Sequence, residues 1–160
     1  MSAEPTIVSL PLTVVYGQVD SQVKAGKYDR KDNRITSENF PTNKTGTVRL
    51  KYATFVHFPT CQTSDDVVRV FAELGLKLGN ADEILAVGVE YPSIQKECPV
   101  VALGSVLEPE VKSSVKLDPY RSVIFLSVEN GLRELSLSSW GGVWRSNCRF
   151  LGFPIPAVSE

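Results

Sequence analysis

Near the middle of the chain, Thr47 to Phe58 (TVRLKYATFVHF) sorts its residues into two interleaved sets: Val48, Leu50, Tyr52, Thr54, Val56 and Phe58 against Arg49, Lys51, Ala53, Phe55 and His57. A period of two is that of an extended chain whose side chains alternate between faces, so the segment predicts a half-buried strand. Everything else in the chain must be compatible with a sheet that contains it.

The flanking segments supply further elements. Residues 6 to 16 (TIVSLPLTVVY) are β-branched and apolar, which predicts one or two strands with an edge position or a bulge at Pro11. From Gly17 to Gly46 the composition turns polar, as in a long surface excursion. Thr63 or Ser64, followed by Asp65 and Asp66, provides an N-cap and an acidic first turn for a helix over about Ser64 to Leu74. Asn80 caps a second helix, with Asp82 and Glu83 in its first turn, that Tyr91-Pro92 stops. Pro99 to Leu107 and Ser122 to Val128 are apolar runs suited to buried strands, and Asn130-Gly131 predicts a tight hairpin into Leu132 to Ser138. Trp140 to Asn147 follows as a loop around Gly141-Gly142, and Cys148 to Phe153 returns as a last strand. Strands, two consecutive helices and then an antiparallel β-meander make an α+β domain, read as a single domain over residues 1–160.

Composition narrows the function classes. With 160 residues, 42% hydrophobic and 22% charged, the chain can bury one core, and a net charge of -1 argues against phosphate-backbone binding, so no nucleic-acid partner is expected. Cys61, Cys98 and Cys148 are widely spaced with no C-x-x-C pair, which indicates reduced thiols rather than a disulfide framework or a zinc site. No charged segment leads into an apolar run at the start, and no stretch approaches the ~18 apolar residues a spanning helix needs, so no membrane partner and a cytoplasmic location are expected. The G-x-S-x-G elbow, the P-loop and the G-x-G-x-x-G loop are all missing, and the acidic pairs sit where helix N-termini want them.

The richest stretch is the tail. Leu132 to Phe153 (LRELSLSSWGGVWRSNCRFLGF) holds both tryptophans and three glycines among serines, arginines, Asn147 and Cys148, and no lysine follows Lys116. Aromatic rings interleaved with small polar side chains supply contact area and adaptable hydrogen bonding, the composition of a recognition surface. The alternative is a hairpin whose tryptophans pack inside. Trp140 and Trp144, with Arg145 and Asn147 close behind, place ring faces and donors in one loop. Arg145 and Arg149 flank Cys148 and could lower its thiol pKa, but without a second histidine it is read as a packing or surface thiol.

The order TVRLKYATFVHF, SDDVVRVFAEL, NADEILAVGVEYP, VALGS and RELSLSSWGGVWRSNCRFLGF resembles the C-type lectin fold of the formylglycine-generating-enzyme type, also used by the variable proteins of diversity-generating retroelements. The likeness covers residues 47 to 153, with Gly152-Phe153 matching the Gly-Phe at which such chains close. KAGKYD, ITSENFP, YPSIQ and VALGS also resemble a group of uncharacterised bacterial proteins. The three cysteines do not reproduce the cysteine pair of the oxidase branch. The retroelement branch implies a C-type lectin-like fold whose tail carries diversified contacts, since adenine-directed mutagenesis yields residues such as Ser, Arg, Val and Cys but never Lys or Gln.

The sequence therefore predicts a non-enzymatic ligand-binding protein with its contact residues among Ser136, Ser138, Ser139, Trp140, Val143, Trp144, Arg145, Ser146, Asn147 and Cys148. No cofactor or metal is implied, because the tail lacks the clustered carboxylates and amides of a calcium site. The expected partner is a protein or other macromolecule. The rival readings are self-assembly through the hairpin, giving a homo-oligomer, and a small enzyme with His57 as base and Cys148 as nucleophile.

Overall fold

The computed structural model describes residues 4–109, 111–112, 115–116, 121–156 and 158–159. The elements in chain order are β1 (Thr6–Tyr16), α1 (Val19–Ala25), β2 (Arg30–Lys31), β3 (Gly46–His57), β4 (Gln62–Thr63), α2 (Ser64–Glu73), β5 (Leu76–Leu78) and α3 (Ala81–Glu90). After them come α4 (Ile94–Glu97), β6 (Val100–Leu107), β7 (Val111–Lys112), β8 (Val115–Lys116), β9 (Ser122–Glu129), β10 (Leu132–Ser139), β11 (Val143–Trp144) and β12 (Arg149–Pro154).

A mixed sheet of eight strands dominates, in the order β1-β3-β12-β6-β9-β10-β2 with β5 added to β12. This overturns the α+β, C-type lectin-like expectation. The last strand does not extend a C-terminal antiparallel meander beside β10; it runs through the middle of the sheet, antiparallel to β3 and parallel to β6. Burial explains the position. β12 offers Phe150 to one face and Leu151 and Phe153 to the other, and a strand apolar on both sides is stable only where both faces are covered. Between them Gly152 leaves room for Phe71 of α2, whose ring carbon would lie 2.5 Å from a Cβ there.

Two cores follow, one on each face of the sheet. On the first, Val19 and Val23 of α1 and Ile84, Leu85 and Val87 of α3 pack with Ile35 and Phe40 over Leu12, Val14, Phe55, Val100, Ile124 and Leu151. On the second, Val67 and Phe71 of α2 join Val56, Val101, Val123 and Phe150. The polar stretch from Gly17 to Gly46 thus contributes a helix and two apolar plugs to the first core. β5 intervenes between α2 and α3, so these two helices lie over opposite faces.

β3 forms as the alternation predicts, but its faces exchange partway. Leu10 is opposite Ala53 while Leu12 is opposite Leu50, so β3 spends one extra residue against β1. Leu50, Ala53 and Phe55 consequently share the first core, Val56 joins the second, and Tyr52 is exposed. Beside the bulge, edge strand β1 is blunted by the end of α3. Glu90 accepts the Thr13 N–H at 2.8 Å, and the Tyr91 hydroxyl donates to the Pro11 carbonyl, which covers edge groups that would otherwise invite another strand.

The β9–β10 hairpin closes through Asn130-Gly131 with φ of 52° and 78°, the two positive values of a primed turn. β2 runs parallel to β10 on its outer side. Among the described residues no helix is long and apolar enough to cross a membrane.

Candidate binding surface on the C-terminal hairpin

The chain from Trp140 to Cys148 is anchored at its centre. Thr63 takes the cap of α2, its hydroxyl accepting the Asp66 N–H at 3.1 Å while Asp66 accepts the Thr63 N–H at 3.1 Å. Ser64, one residue into the helix, is left free for another task. Its Oγ accepts the Trp144 indole N–H at 2.9 Å and donates to the Trp140 carbonyl at 2.8 Å. Backbone pairing of Val143-Trp144 with Gln62-Thr63 adds a second tie, so the expected loop contains a short strand, β11. The Trp144 ring meets Phe150 edge-on, with centroids 6.0 Å apart, and is only 8% exposed.

Trp144 and Cys148, both expected as contact residues, are therefore core residues. Cys148 sits in the second core, and burial pushes its thiol pKa up, outweighing the hydrogen bond and charge that Arg145 offers. The flanking arginines therefore do not bring the thiol below its ordinary pKa. The Sγ–H points to Asn147 Oδ1 at 3.7 Å. His57 donates from Nε2 to the Ser146 carbonyl at 2.6 Å; a carbonyl can only accept, so this nitrogen carries the proton. Histidine and cysteine each have another partner, and neither is poised as a base–nucleophile pair.

Around the anchor the remaining candidates divide by strand register. Leu135 and Leu137 of β10 face the first core, so Ser136 and Ser138 face the other way, opposite Phe125 and Val123 of β9. Trp140 continues that row, half-buried against the second core, with the Arg121 guanidinium 5.0 Å above its ring. Ser139 points to the opposite face, beside Ser122, and does not join the row. Val143 is 67% exposed, and Arg145, Ser146 and Asn147 are exposed beyond it. The structure thus brings together Ser136, Ser138 and Trp140 on one half-exposed face and places Val143 and Arg145 to Asn147 on the rim.

Comparison with known proteins returns no match to a family model, to a curated protein or to a solved structure. The site must speak through its own chemistry. A half-exposed indole under a guanidinium, small hydroxyls in a row and an exposed Val-Arg-Ser-Asn rim offer stacking area and hydrogen-bonding groups. Among the described residues no group of three His, Cys, Asp or Glu side chains is placed to hold a metal ion.

Three participants escaped the sequence reading: Ser64, Arg121 and Phe125. Ser64 carried the one available signal, standing next to a threonine that can cap the helix alone. Phe125 belongs to the strand that the Asn-Gly turn folds back and Arg121 immediately precedes it, and their roles emerge only from register.

Proposed function

We propose that this protein is a non-enzymatic binding protein whose contact surface for a macromolecular ligand is the outer side of the C-terminal hairpin. Trp140, Val143, Arg145, Ser146 and Asn147 make the contacts, with Ser136 and Ser138 on the adjoining face. The observation that carries this reading is the division of labour at Trp144: its indole is locked to Ser64, while Val143 and Arg145 on either side point away from the core. Side chains so placed can change identity without disturbing the packing beneath, since exposed substitutions cost within ~0.5 kcal/mol. The alternate commitments of His57 and Cys148 support binding over turnover.

Photocrosslinking tests the proposal. With p-benzoylphenylalanine at Val143 in the full chain, expressed in its own cells, irradiation yields an adduct to a different macromolecule that is absent with the same probe at the exposed Glu73. No adduct at Val143 contradicts the proposal. Adducts made only of two copies of the chain replace it with self-assembly.

A further inference from the structure

The outer edge of β1 is covered over only half its length. The Thr13 N–H and the Pro11 carbonyl point away from β3, and Glu90 and Tyr91 at the end of α3 meet them. Outward-pointing groups recur at every second residue of an antiparallel strand, and the extra residue at the bulge belongs to β3, so the count runs on along β1 to Ser9 and Ile7. The Ser9 hydroxyl agrees with that count. It lies 3.1 Å from the Thr54 hydroxyl, as side chains do across the close pair that an outward-pointing residue makes with its neighbour. Among the described residues no hydrogen bond reaches the outward N–H or C=O of Ile7 or Ser9. The next outward position on the same count is Pro5, just ahead of the strand.

The uncovered half lacks the charges that usually keep sheet edges apart. β1 carries no charged residue, and Ile7 and Val8 are 47% and 43% exposed. Beside it runs a groove of about 520 Å³ lined by Val8, Leu10, Tyr91, Pro92 and Ile94, among others. The outward positions read Pro5, Ile7, Ser9 and Pro11, a set symmetric about Val8. The two residues that have an N–H lie inside, and the two that have none lie at equal distances outside.

We propose that this edge is the contact with a second copy of the chain, the two β1 strands pairing antiparallel about a two-fold axis at Val8. Ile7 of each copy then stands opposite Ser9 of the other, so every outward N–H and C=O of these residues finds its complement. Pro5 stands opposite Pro11, where no donor is needed. Centring the pair on Ile7 or on Ser9 instead would oppose a proline to a residue with an N–H and leave a carbonyl unpaired, so the prolines select one register. An uncharged edge meets its twin without opposing like charges, and Val8 meets Val8 beside the apolar groove of each copy. β1 and β10 stand four strands apart in the sheet order, with β3, β12, β6 and β9 between them, so the contact does not rest on the hairpin reading.

Sedimentation equilibrium of the full chain over a concentration series tests the assignment. A monomer–dimer equilibrium is expected, weakened at least about tenfold by Val8→Lys, which opposes two ammonium groups at the axis, and by Ile7→Pro, which removes an outward N–H without touching the β1–β3 ladder. Leu74→Lys, on an exposed position of the α2 cap, is expected to leave it unchanged. Copper-phenanthroline oxidation in a Cys61→Ser background reads the register directly and does not depend on the folding of those variants. Val8→Cys is expected to cross-link, its Cα atoms being about 4.5 Å apart across the axis. Thr6→Cys is expected not to, its twin lying about 14 Å away along the strand. A chain that stays monomeric at millimolar concentration overturns the proposal in favour of a foreign strand or none. A dimer unaffected by both Val8→Lys and Ile7→Pro, or cross-linking at position 6 as ready as at position 8, overturns it as well.

Discussion

Ser64 Oγ stands between the two tryptophans of the chain, 2.9 Å from the Trp144 indole nitrogen and 2.8 Å from the Trp140 carbonyl oxygen. One small hydroxyl in the first turn of α2 thereby fixes both ends of the segment that displays Val143. Ser64→Ala leaves a buried indole N–H without a partner and is expected to cost about 1–3 kcal/mol. Urea denaturation measures it, and the tryptophan emission of the folded variant should shift to the red. Thr63→Ala, which removes the cap, is expected to cost about 1 kcal/mol without that shift.

Gly152 is a packing surface for α2. A Cβ there would come within 2.5 Å of the Phe71 ring and 2.8 Å of the Lys77 carbonyl oxygen. Gly152→Ala is expected to lower stability by about 1–3 kcal/mol, the cost of overpacking, because one obstacle is backbone and cannot turn aside. Denaturant midpoints of Gly152→Ala and of an alanine at the unhindered Gly141 make the comparison.

Tyr28 and Gly88 form a similar pair on the other face. The Tyr28 hydroxyl is buried with no partner among the described residues, and burial pushes its pKa up to about 12. A Cβ at position 88 would fall 1.8 Å from that oxygen. Tyr28→Phe removes an unsatisfied polar atom and is expected to leave stability within ~1 kcal/mol of wild type or to raise it. Gly88→Ala is expected to cost about 1–3 kcal/mol. Thermal unfolding of the two single variants and the double variant checks both, with part of the loss recovered in the double.

Asp82 gives stability a pH dependence of definite sign. Burial raises its pKa above 3.8, so the folded state holds the proton more tightly than the unfolded chain. Stability from this group is fully present below the unfolded value and is lost as pH rises through the folded one. Asp66 has the opposite sign, since its hydrogen bonds with Thr63 lower its pKa and its contribution disappears as pH falls. Relative to wild type, Asp82→Asn is expected to gain stability at neutral pH and to converge with it well below pH 3.8. Asp66→Asn is expected to lose stability at neutral pH and to converge at low pH. Urea midpoints across the pH range distinguish the two slopes.

Local pattern carried much of the architecture. β3, α2, α3, β6, β9 and β10 form where periodicity and capping residues put them, because strand alternation, helix caps and the Asn-Gly turn act over a few residues. Sheet order is a long-range outcome, and β12 entering between β3 and β6 rests on burial of Phe150, Leu151 and Phe153 rather than on any neighbour in sequence. α1 escaped because its seven residues lack a side-chain cap hydrogen bond at Gln18. The bulge opposite Pro11 left the strand pattern of β3 recognisable while moving half of it to the other face. Within the tail, composition had no means to tell Trp144 from Trp140; the hydroxyl that separates them lies 80 residues away.

An adaptable contact surface on a fixed anchor is what we propose for the hairpin. The most direct measurement is a display library of the full chain randomised at Ser136, Ser138, Val143, Arg145, Ser146 and Asn147, sorted for folding and for binding to streptavidin as a probe protein. A matched library at the exposed α2 positions Asp65, Arg69 and Glu73 serves as the control. The account predicts that most hairpin variants fold and that streptavidin binders arise from them above the control, with binding lost on Trp140→Ala. A hairpin library that unfolds as readily as Trp144→Ala, or that yields binders no better than the α2 library, contradicts it.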